Sequence, residues 1–143
     1  AEIFSRYEIQ LENYIKTIRI EALTMAEMVS RQILPAALTY MKRVADTVSA
    51  LNSAGADSRS TKKILDKLVV LTSSLRIDAD ALSETIENLD RMEGETLVKA
   101  RAYKEMVIPI MEDLRKDADK LESIMDASLW PFPTYGDLLF GLI

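Results

Sequence analysis

The chain has 143 residues, a net charge of −5, 48% hydrophobic and 29% charged residues and only 6% aromatics, the composition of one helical domain rather than of a sheet protein. It contains no Cys and no His, which excludes disulfides, thiolate or imidazole metal ligands, paired Glu-x-x-His sites and Ser-His-Asp chemistry. The acidic balance argues against a nucleic-acid partner, which needs a basic stripe, and the lack of a spanning apolar run or signal segment points away from membranes and to the cytoplasm.

The first predicted helix runs from about residue 2 to 53. Phe4, Tyr7, Leu11, Tyr14, Ile18, Ala22 and Met25 form one apolar stripe at helical spacing. The first residue is not Met and the stripe is in phase from the start, as expected of a piece cut from a longer protein. The phase slips between Val29 and Leu34, where Pro35 would press on the carbonyl of Arg31. A kink is expected there, with a full fold-back into a four-helix bundle as the alternative. A polar joint from Ser53 to Ser60 follows, with Gly55 inside it and Ser58 or Ser60 as N-cap.

The second helix, about 59 to 91, carries a heptad seam at Thr61, Leu65, Leu68, Thr72, Leu75, Ala79, Leu82, Ile86 and Leu89. After Glu93-Gly94-Glu95, the third helix covers about 95 to 127. Its seam falls at Leu97, Ala100, Lys104, Val107, Met111, Leu114, Ala118, Leu121 and Met125. Lys104 is read as a snorkelling lysine, Pro109 as a bend and Asp117 as part of a solvated face. The two seams mirror each other about residue 93, and the back half of the first helix mirrors the second about residues 56 and 57. An all-α, antiparallel three-helix bundle follows.

By the same rule the second helix covers the first only back to about residue 22, so the leading residues should project by roughly 30 Å. Phe4, Tyr7, Leu11, Tyr14 and Ile18 are therefore candidate interface residues. The tail, 128 to 143, holds Trp130-Pro131-Phe132-Pro133-Thr134-Tyr135. Its prolines impose an extended turn, and Thr134 with Asp137 resembles a capping box for a short last helix. Trp130, Phe132 and Tyr135 are the second candidate contact group, with capping of the chain's own bundle as the plainer role. No residue is assigned to catalysis, cofactor or metal.

Glu12-Asn13-Tyr14-x-Lys16-Thr17-Ile18, then Ile20-Glu21-Ala22-Leu23-Thr24-Met25, Ile33-Leu34-Pro35-Ala36 and Leu129-Trp130-Pro131-Phe132-Pro133-Thr134-Tyr135 resemble the C-terminal region of type III glutamine synthetases, the large bacterial form of the enzyme. The resemblance covers essentially the whole chain. It implies a parent ligase that joins ammonia to glutamate with ATP and a divalent metal, Mg or Mn, and assembles as a homo-oligomer. None of the parent's catalytic motifs matches here. The implied role is a non-catalytic accessory or assembly domain, contacting the catalytic region and neighbouring subunits, with the isolated chain self-associating as a dimer. The competing expectation is a free-standing coiled-coil adaptor or signalling bundle.

Overall fold

The structure, a computed structural model, describes residues 2–133, and these form helices with no strand. Helix α1 (Glu2–Met28) runs through a five-residue π-helical turn, Val29–Ile33, into α2 (Leu34–Ser53). After a short joint comes α3 (Arg59–Asp90); after a second, α4 (Thr96–Ala102), a π-helical turn at Tyr103–Val107, and α5 (Ile108–Ile124). The chain thus contains three long helical stretches.

Each π turn sits immediately before a proline. Pro35 and Pro109 lack an N–H and crowd the carbonyl four residues back. The widened turn answers both problems: the Leu34 N–H bonds the Val29 carbonyl and the Ile108 N–H bonds the Tyr103 carbonyl, each five residues back. One extra residue is accommodated per turn, which is the physical origin of the phase slip at 29–34. Backbone angles stay helical from Met28 to Leu34, so α1 and α2 form one continuous helix and no fold-back occurs.

The first joint is a helix stop of defined type. Gly55 has φ +74°, its N–H bonds the Asn52 carbonyl and the Ala56 N–H bonds the Leu51 carbonyl, the paired pattern that satisfies the last carbonyls of a helix. A β-carbon would meet no atom at Gly55, so the backbone conformation alone calls for glycine. Ser58 occupies the N-cap position of α3 without capping it. Its hydroxyl instead donates to Asn52 Oδ1 at 2.6 Å, while Asp57 Oδ1 accepts the Arg59 N–H at 3.0 Å.

One core runs the length of the molecule, through Ile18, Ala22, Val29, Ile33 and Ala37 on the first helix, Leu68 to Leu89 on α3, and Tyr103, Val107, Leu114 and Leu121 on the third. The α3 seam matches expectation closely: Leu68, Thr72, Leu75, Ala79, Leu82, Ile86 and Leu89 are all buried. The third helix departs from it. Lys104 is exposed, and Tyr103, fully buried, takes its place, so that the seam steps through Ala100, Tyr103 and Val107.

The leading helix projects less than expected. Thr96 Oγ1 donates to Glu8 Oε1, and Arg19 holds Asp90 by two bonds of 3.0 and 2.9 Å. The mirror rule counted only the second helix as a wall for the first. Here α4 packs against α1 as well, so cover extends back to Glu8 and only about the first two turns remain beyond it.

Candidate interaction surface

The N-terminal end of α1 presents large apolar side chains to solvent. Ile3 is 82% exposed, Phe4 79% and Tyr7 47%. A surface ion pair, Arg6 with Glu2 at 3.1 Å, flanks them. A helix in which isoleucine and phenylalanine face water over its first two turns carries an unpartnered apolar patch. The expected interface residues divide along this line. Phe4, Tyr7 and Tyr14 are exposed, Leu11 is half-buried, and Ile18, at 7% exposure, is a member of the chain's own core with no free surface. Ile18 is therefore removed from the candidate surface, since α4 and the end of α3 reach past it. Ile3 belongs on it. The three-four spacing of the stripe passes over Ile3, and its adjacency to Phe4 at an uncovered helix end was the available signal.

Trp130 and Phe132 behave differently. Their rings meet edge to face, with centroids 6.2 Å apart and planes at 78°, a preferred aromatic geometry. Both are half-buried and, with Leu129, pack against the bundle core. Before them, the Ser128 hydroxyl and N–H both donate to Asp126 Oδ1, which holds that carboxyl below its usual range. Arg43 binds the other oxygen at 3.0 Å. The start of the tail is thus tied to α2 and folded onto its own bundle. Tyr135, the Thr134–Asp137 capping box and the expected last helix lie outside the described residues.

Two polar clusters lie between the helices. At one, the bidentate grip of Arg19 lowers the pKa of Asp90, while burial, and secondly the Asp90 charge, raises that of the Tyr103 hydroxyl, which has no hydrogen-bond partner among the described residues. At the other, Ser74 Oγ donates to Asp117 Oδ2 at 2.6 Å, and Asp78 faces Asp117 and Asp113. Burial, with Asp117 as hydrogen-bond partner and like charge, pushes Asp78 up to about 6. Its Oδ2 is buried with no hydrogen-bond partner among the described residues. The register of α3 against α5 thus brings carboxylates together.

No group of three acidic side chains among the described residues is arranged to hold a metal ion. No helix among the described residues is long and apolar enough to cross a membrane.

Fold and surface together define an all-helical packing unit with one uncovered apolar end. Residues 1–52 match the family model described as the glutamine synthetase C-terminal domain. The whole chain is similar to curated glutamine synthetases: 37% identical to one from Butyrivibrio fibrisolvens over 99% of this chain, and 26% identical to one from Bacteroides fragilis (strain YCH46) over 98% of it. It is 32% identical to the type-3 glutamine synthetase of Dictyostelium discoideum over 98% of its length, so the form is not confined to bacteria. The similarity thus runs over nearly the whole of this chain and includes a type-3 enzyme. The chain spans 20% of the length of each of these relatives.

Proposed function

We propose that this chain is a non-catalytic accessory domain that holds a type III glutamine synthetase together, docking through the open end of its first helix. The observation that carries this reading is the patch of Ile3, Phe4 and Tyr7, exposed together at the end of the first helix. The parent activity, ATP-dependent ligation of ammonia to glutamate with Mg or Mn, belongs to the rest of such an enzyme. The architecture we infer is an antiparallel three-helix bundle bent at its two π turns, with Leu129 to Pro133 as a proline-rich turn. It is supported by partner order between α3 and α5, where Ser74 meets Asp117 and Asp78, further along α3, faces the earlier Asp113. The length of the relatives, five times that of this chain, favours this reading over a free-standing adaptor bundle.

An exposed phenylalanine and isoleucine should find a substitute partner when the natural one is missing. The isolated 143-residue chain is therefore expected to self-associate, most simply as a dimer, in sedimentation at high micromolar concentration. Phe4→Glu should shift it toward monomer by roughly tenfold or more in dissociation constant, since a charge would be desolvated in the contact. A wild-type chain that stays monomeric at that concentration would contradict the docking role.

A further inference from the structure

The open end of α1 has a counterpart further along the same helix. Between α1 and α5 lies a hollow of about 220 Å³ lined by Ile18, Glu21, Ile108, Met111, Glu112 and Arg115. A second, of about 360 Å³, continues it: it shares Glu21, Met111 and Arg115 and adds Ile20, Thr24 and Met25. Together they form a groove with an apolar floor and an exposed rim of two acids and one base. None of these three charged side chains is in an ion pair among the described residues. Tyr7, Tyr14 and Glu21 follow one another at intervals of seven residues, so one flank of α1 runs from the open end to the groove. Tyr14, midway along it, is 37% exposed.

We propose that the open end of α1 docks in this groove on a second copy of the chain, the two α1 helices lying antiparallel about a twofold axis at Tyr14. The arrangement rests on the docking role of that end and names its partner. Three observations argue for a second copy. First, the open end and the groove are equidistant from Tyr14 on one helix. A half-turn about that residue brings Tyr7 of each copy to Glu21 of the other and Ile3 to Met25, so both ends are seated at once and the contact closes on itself. Second, the surfaces match in chemistry: Phe4 and Ile3 meet a floor containing Met25 and Met111, whose flexible thioethers mould to an aromatic ring. Third, the charges agree. Glu2 and Arg6, the exposed pair beside the apolar patch, come level with Arg115 and Glu112 of the other copy, each opposite its complement.

The absence of cysteine from the chain makes the geometry testable. Gln10 and Thr17 are exposed residues on either side of Tyr14, outside both the patch and the groove. Chains carrying Gln10→Cys are mixed with tagged, longer chains carrying Thr17→Cys, and bridging under mild oxidation is followed on non-reducing gels. The mixed bridge should form at least tenfold faster than either bridge between identical chains. The twofold axis brings position 10 beside position 17 but leaves each roughly 9 to 12 Å along the helix from its own copy, too far for a disulfide. In sedimentation, Glu112→Arg should weaken the dimer by roughly two- to fivefold, and Arg6→Glu combined with it should restore the dimer. A chain that stays monomeric would overturn this arrangement together with the docking role. A dimer in which identical chains bridge as fast as mixed ones, or which Glu112→Arg leaves unchanged, would overturn the arrangement alone, because the open end would then be seated on another surface.

Discussion

Replacing Tyr103 with alanine should destabilise the fold by about 3–5 kcal/mol, the cost of removing a large aromatic from a site that cannot collapse around the loss. Tyr103 is fully buried and heads the largest enclosed side chains of the core. It stands on the first residue of a π turn, so its ring fills space that a regular helix would have given to its neighbour. Tyr103→Phe should behave in the opposite way. The hydroxyl is buried near Asp90 and Arg19 but bonded to neither, and an unpartnered buried hydroxyl costs about 1–3 kcal/mol of desolvation. Its removal should leave stability unchanged or raise it by up to about 1 kcal/mol, because ring packing is preserved. Urea unfolding of the two variants beside the wild-type chain decides the matter. A loss above 2 kcal/mol in Tyr103→Phe would show that the hydroxyl is bonded in solution.

Asp78→Asn should stabilise the chain above neutral pH and do nothing at pH 4. The folded state holds the Asp78 proton up to about 6, whereas the unfolded chain releases it near 3.8. Between those values the folded state binds more protons, so rising pH destabilises it through this group. The favourable contribution is fully present below about 3.8 and is lost as pH passes about 6. A shift of this size corresponds to at most about 3 kcal/mol. Solvent at a half-buried site screens it to about 1–2 kcal/mol. Asparagine carries a permanent donor for Asp117 in place of the titrating proton, so its stability should lack this slope. The difference between variant and wild type, measured by urea unfolding from pH 4 to 8, should grow from near zero to about 1–2 kcal/mol. A difference that is constant across this range would rule out a proton shared by Asp78 and Asp117.

The legible parts of the fold are those where a helix is regular. The α3 seam from Leu68 to Leu89 could be read in full because no proline interrupts it, and heptad spacing then maps one to one onto burial. The proline sites were legible as disturbances, through the slip at 29–34, but their form was not. A π turn keeps the helix running, and near the second one Tyr103 is buried where Lys104 was expected. Spacing alone cannot choose between adjacent residues at such a turn. The covered length of α1 was misjudged for a different reason. Reflecting one helix about one joint ignores the third helix, whose first turns at Thr96 lie against Glu8. That omission also put Ile18 on the open surface, whereas Ile3 was missed because the three-four spacing of the stripe passes over it. The Asp78 cluster was not legible because its neighbours, Asp117 and Asp113, come from another helix, and exposed charge patterns are too weak to fix which residues meet across a packed seam.

Exposed apolar side chains are scattered along all three helical stretches, and the first two turns of α1 bring Ile3, Phe4 and Tyr7 together at one helix end.

The most direct test is deletion of this domain from a type III glutamine synthetase, followed by native mass measurement and turnover on the same preparation. The account predicts an assembly of reduced mass. Turnover should be lost only to the extent that the mass falls. An assembly of unchanged size that has lost its turnover would contradict it, because the domain would then be acting on the chemistry rather than on the architecture.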